Sequence, residues 1–181
     1  MRGGRGHALE GAAIAKSFAY AWAGLTYLYE TQRTMRLHLL IGSLVGAACI
    51  VLGVGREEVL MVALAIAGVL LSEVVNTVVE GLTDLMEPRL DPVAKLIKDV
   101  AAAGVLLSAG FSVLIGALVF YPTVSSLPAR LEGFLDRRTI PFAVYVAFVV
   151  IPAAAGLARP VKRAWPPIPD EPGSRPRTGT R

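Results

Sequence analysis

Cysteine and histidine are almost missing from this chain of 181 residues, which holds one Cys and two His. Cys49 lies in an apolar run, can form no intramolecular disulfide, and reads as a small packed hydrophobe. His38 has no second histidine nearby, because His7 sits close to the amino terminus, so a histidine metal cluster is not encoded. It reads as an interfacial polar residue at the start of a span. Also missing are G-x-x-x-x-G-K-[ST] and a G-x-G-x-x-G that follows a strand, which excludes a P-loop and a protein-kinase phosphate cradle. Charged residues make up only 18% of the chain, and the formal charge is a modest +4. Its carriers form no basic stripe interleaved with aromatics, which argues against nucleic acid as a partner. They lie in termini and loops, where they orient spans and meet anionic headgroups. Met1 to Lys16 lacks the apolar core of a cleavable signal peptide.

Apolar residues are abundant instead, at 54% of the chain, with a mean hydropathy of +0.58. That is too greasy for a soluble domain of this size, so the expectation is an all-α integral membrane protein. Residues 1–36 read as a disordered Gly/Arg start followed, from about Ala8, by an amphipathic helix. In that helix Ile14, Phe18, Trp22 and Leu25 recur at steps of three and four, and Tyr20, Trp22, Tyr27 and Tyr29 suit a bilayer interface. Residues 37–121 contain three spans. Leu37–Val54 is the first, the short turn Gly53 to Glu58 sends the second back antiparallel, and Val59 to about Met86 follows. Pro88 and Pro92 interrupt the helix, and Asp91-Pro92 reads as an N-cap with proline at the first helical position of a third span ending at Tyr121. Residues 122–158 comprise a polar connection and a fourth span, Ile140–Ala158, kinked by its prolines. Residues 159–181, rich in proline and arginine, read as a disordered tail.

One stretch organises the rest. Along the second span, Glu73, Asn76, Glu80 and Asp84 recur at steps of three and four, which places them on one face of an otherwise greasy helix. A carboxylate at membrane depth costs about 2.5–3.5 kcal/mol on insertion, so such a stripe faces a bundle interior or wet cavity and marks a functional site. Helix-to-helix glue is the plainer reading of one intramembrane Asn. Three carboxylates in register with it, followed by Lys95, Lys98 and Asp99, point further, to a site. Carboxylates that hold Mg²⁺, lysines that neutralise phosphates and one carboxylate that takes a hydroxyl proton are the parts of phosphoryl transfer. The same stripe would also suit a cation or proton pathway, and the chemistry by itself leaves both open.

The run Glu73-x2-Asn76-x3-Glu80-x3-Asp84, followed by Ala94-Lys95-x2-Lys98-Asp99, closely resembles the signature of the prokaryotic diacylglycerol kinase family, which includes the undecaprenol kinases. Trp22-x-Gly24 and Arg36-Leu37-His38 extend the resemblance, which covers about Lys16 to Tyr121. It implies a small homotrimeric membrane kinase with an N-terminal interfacial helix, three spans, and active sites shared between neighbouring subunits on the cytoplasmic side of the cell (inner or plasma) membrane. Glu73 would be the general base, Glu80 a ligand of the Mg²⁺ of MgATP, and Asn76 a holder of the site and the transferred phosphate. Lys98 would contact the ATP phosphates, with Lys95 nearby, Asp99 positioning the nucleotide or the lysine, and Asp84 beside the site. The implied reaction converts a lipid alcohol, diacylglycerol or undecaprenol, and MgATP into lipid phosphate and ADP. Two departures stand out. Where the family carries a second metal-binding glutamate this chain has Gln32, so the metal site uses either Gln32 with Glu80 or, by a register shift, Glu30 two residues earlier, and Asp91 replaces the family's histidine before the lysine motif. Gln32 therefore also admits a degenerate, nucleotide-binding relative that does not turn over.

Overall fold

In the computed structural model, which describes residues 3–87, 91–124 and 126–162, the chain is a succession of helices. These are α1 (Gly3–Thr31), α2 (Arg33–Leu52), α3 (Arg56–Met86), α4 (Pro92–Val124), α5 (Leu127–Arg137) and α6 (Thr139–Leu157). No strand occurs among the described residues. Four helices, α2, α3, α4 and α6, are long and apolar enough to cross a membrane. Their outer faces carry exposed Leu44, Leu64, Leu71, Leu106, Leu107, Phe111 and Phe148. Such surfaces are stable against hydrocarbon, where every backbone polar group must be satisfied within its own helix. The molecule is an all-α integral membrane protein.

Helices α3 and α4 form the most extensive packed pair, and α2 lies along α3. A small core of Cys49, Val62 and Val119, with Val45, Ile66, Ile115 and Phe120 around it, joins the end of α2 to the start of α3 and the end of α4. Ser112 crosses from α4 to α3 by donating to the carbonyl of Ala65 at 3.1 Å. The first-turn ends of α2 and α4 and the last turns of α3 are thus gathered at the opposite end of the bundle.

The turn between α2 and α3 is tight because Gly53 adopts the left-handed conformation, at φ 58° and ψ 48°. Its N–H and that of Val54 bond back to the carbonyls of Ile50 and Cys49, ending α2 as glycine-capped helices end. A Cβ at Gly53 would run into the guanidinium of Arg138. Arg138 donates to the carbonyl of Val51, and Arg130 from α5 donates to those of Leu52 and Gly53. Two arginines thereby satisfy the orphan carbonyls at this helix end.

Several boundaries differ from the sequence reading. The helical start includes residues 3–7, and the first helix stops at Thr31 rather than continuing to Arg36. Gln32 is extended, at φ −105° and ψ 112°, between α1 and α2. Within the stretch read as a polar connection, α4 continues through Pro122 to Val124 and α5 forms a separate helix. The fourth span widens into a π-helical segment over Val146–Val150. Pro152 explains this: it has no N–H to give the carbonyl four residues earlier, and its ring crowds that carbonyl, so the local ladder shifts register. The tail residues 159–162 follow the end of α6 and bond to the α1–α2 junction. The expected helix break at Pro88 and the tail beyond residue 162 lie outside the described residues.

Candidate active site

The polar stripe of α3 packs where the start of α2 meets it. Glu73 is 3% exposed, and both carboxylate oxygens are engaged from α2: Thr34 Oγ1 donates to Oε2 at 3.1 Å, and His38 Nε2 lies 3.1 Å from Oε1. Thr34 and His38 are four residues apart, so one face of α2 presents both. Thr77 turns its hydroxyl inward, donating to the carbonyl of Glu73 at 2.9 Å. A carboxylate held at two points keeps a single orientation.

One turn on, Asn76 Nδ2 donates to Glu80 Oε1 at 2.9 Å. The amide oxygen, Asn76 Oδ1, is buried without a hydrogen-bond partner. A buried, unsatisfied acceptor costs about 1–3 kcal/mol, and Asn76 Oδ1 and the Glu80 carboxylate are both hard oxygen donors of the kind a divalent cation takes. Mg²⁺ takes oxygen donors, and it commonly uses one or two carboxylates with the rest of its shell from phosphates and water. The donors here fit that demand. Further along, Asp84 pairs with Lys98 across the α3–α4 gap. Asp91 caps α4 by accepting from the N–H groups of Val93 and Ala94 at 2.8 and 3.0 Å, which fixes where Lys95, Lys98 and Asp99 emerge.

The sequence-predicted residues separate into three groups. Glu73, Asn76 and Glu80 share one face of α3, and Asp84 extends it to Lys98. Lys95 and Asp99 form their own pair along α4, at 2.5 Å and well exposed, so the lysine that Asp99 holds is Lys95, while Lys98 turns to Asp84. Gln32 occupies the extended break before α2, two residues from Thr34. Glu30 is engaged elsewhere: Lys162 Nζ lies 2.8 Å from its carboxylate, and the N–H of Lys162 donates to its carbonyl at 3.0 Å. Thr34 and His38 are the contacts that sequence reasoning missed. For His38 the signal was the Arg36-Leu37-His38 triplet, noted for resemblance while its histidine was read as interfacial; no sequence signal marked Thr34.

Fold and stripe together define a helical membrane protein with an acidic helix face whose Glu73 is buried. The model of the prokaryotic diacylglycerol kinase family matches residues 19–120, and the chain belongs to that family. Among curated proteins it is similar to a diacylglycerol kinase of Synechocystis sp., 38% identical over 112 residues, which are 61% of this chain and 64% of the relative. It is also similar to an undecaprenol kinase of Bacillus subtilis, 34% identical over 113 residues, 59% of this chain and 87% of the relative. The chain thus spans just under two thirds of the first relative's length. No solved structure matches it significantly. The matched stretch ends before α5 and α6.

Proposed function

We propose that the protein is a lipid kinase that transfers the γ-phosphoryl group of MgATP to the hydroxyl of a membrane lipid alcohol, diacylglycerol or undecaprenol. The observation that carries this reading is the grip of Thr34 and His38 on the buried Glu73, one turn before the Asn76–Glu80 pair, inside the stretch that matches the family. Glu73 serves as general base. Oriented by Thr34 and His38, it takes the proton of the lipid hydroxyl as the oxygen attacks phosphorus in line. No covalent enzyme intermediate is needed.

Glu80 and the unpartnered Asn76 Oδ1 supply the donors for Mg²⁺, with the carboxamide oxygen of Gln32 completing the protein's share. Glu30 is left out of this set because its carboxylate is held by Lys162. The metal, when bound, neutralises charge on the β- and γ-phosphates. Lys98 exchanges Asp84 for phosphate oxygens, and the Lys95–Asp99 pair borders the nucleotide. The acidic end of the bundle faces the cytoplasm, where ATP is available, and the protein sits in the cell membrane. It works as a homotrimer whose sites lie between neighbouring subunits, as the family resemblance implies.

The test is phosphate transfer from labelled ATP by purified protein in mixed micelles, with diacylglycerol and undecaprenol offered separately and Glu73→Gln as control. Mg²⁺-dependent product with one lipid, absent in the control, is the expected result. No product with either lipid from folded protein would refute the kinase reading.

A further inference from the structure

The fourth span ends at a single buried side chain of the second helix. Arg36 is 2% exposed, yet no carboxylate is among its hydrogen-bond partners. Its five N–H groups go to backbone carbonyls. Nε donates to Tyr29 at 2.5 Å, and Nη2 to Glu30 at 2.7 Å and Pro160 at 3.3 Å. Nη1 donates to Gly156 at 3.1 Å and Arg159 at 2.6 Å. Tyr29 and Glu30 belong to the last turn of α1, and Gly156 to the last turn of α6, with Arg159 and Pro160 just beyond it. One guanidinium therefore caps two helix C-termini, whose orphan carbonyls and partial negative charge take the place of a carboxylate.

The fit around this node is close. The Tyr29 ring lies 5.5 Å from the guanidinium carbon of Arg36. A Cβ at Gly156 would collide with the Tyr29 hydroxyl, so the Tyr29 ring keeps its place against α6 because position 156 is glycine. Lys162 adds its backbone and side-chain bonds to Glu30. Arg36 stands midway between Thr34 and His38 in sequence, and its side chain leaves the opposite side of α2. The first turns of α2 are thus gripped on one side by Glu73 and on the other by the end of α6.

We infer that α6 and residues 159–162 form a clamp in cis, gathered by Arg36, that positions Thr34 and His38 against Glu73. Arg36 and Gly156 are positioning residues of the proposed kinase site, and the inference rests on that reading for its catalytic consequence. The clamping segment, α6 with residues 159–162, lies outside the stretch that matches the family, while Arg36, Tyr29 and Glu30 lie within it.

The test uses the full-length protein. Arg36→Lys keeps the charge and loses the fork, and Gly156→Ala pushes α6 off Tyr29. Each is expected to lower kcat about tenfold, as loss of an outer support does, with KM for MgATP little changed. A Glu30→Cys/Lys162→Cys pair in a Cys49→Ala background should close a disulfide within one chain, since these backbones already touch. In the Gly156→Ala chain that disulfide should restore kcat, and reductant should abolish the recovery. Wild-type turnover in both single variants would overturn the clamp, as would failure of the cysteine pair to close. If the unmodified chain transfers no phosphate, the kinase reading fails separately. The clamp's geometry is then decided by the disulfide alone.

Discussion

Glu73 is the residue on which the proposed chemistry turns. Glu73→Gln keeps the shape and an acceptor for Thr34 but removes the base, so transfer should fall by about 10²-fold or more while the bundle stays folded. Comparing turnover with thermal unfolding in the same detergent checks both halves. Gln32 allows the converse experiment. Gln32→Glu adds a charge where the family resemblance implies one, and should lower the Mg²⁺ concentration for half-maximal rate about tenfold. An unchanged Mg²⁺ titration would remove Gln32 from the metal site. At this scale the stripe of Glu73, Asn76, Glu80 and Asp84 was legible, because a helical period alone puts those positions on one face. The engagement of Glu73 by Thr34 and His38 was not, since it joins residues far apart in sequence. Nor was the capture of Glu30 by Lys162.

The elements are set by their ends. Gly53 terminates α2 in a left-handed conformation beneath Arg138, so Gly53→Ala meets both a backbone penalty and a clash. It should destabilise the protein by about 1 kcal/mol or more, read as a lowered unfolding temperature. The Lys98–Asp84 pair that links α3 to α4 is different in kind. With about a third and a half of their side chains exposed, these residues add little stability. Lys98→Met should therefore leave unfolding unchanged and still cost most of the transfer rate, and a parallel loss of both would assign Lys98 a structural part. The start of α4 was readable from Asp91-Pro92, whose cap chemistry is local. The end of α1 was not, because no Gly or Pro marks Gln32. The break is held by Arg36 and the tail, which satisfy the carbonyls that a continuous helix would have used internally.

For the whole molecule, the exposed apolar faces of α2, α3, α4 and α6 meet either lipid or other copies of the chain. If Glu73 and Glu80 of one site come from different subunits of a trimer, Glu73→Gln and Glu80→Gln chains, each inactive alone, should recover activity when mixed and reassembled. Recovery follows because some sites then draw both intact carboxylates from different subunits. No recovery from a mixed oligomer would place both carboxylates of each site on one chain.

By itself the sequence determined the solvent the protein lives in, the α-helical class and the polar face of one helix on which the proposed chemistry rests. Each follows from composition or from a period of 3.6 residues, quantities that need no knowledge of distant neighbours. Only the tertiary structure decided which partners orient Glu73, which lysine each aspartate holds, and that α6 with the residues after it closes on Arg36. Those outcomes depend on how buried polar groups found partners across the fold: a desolvated donor or acceptor must be satisfied, and nothing in the local sequence says by whom.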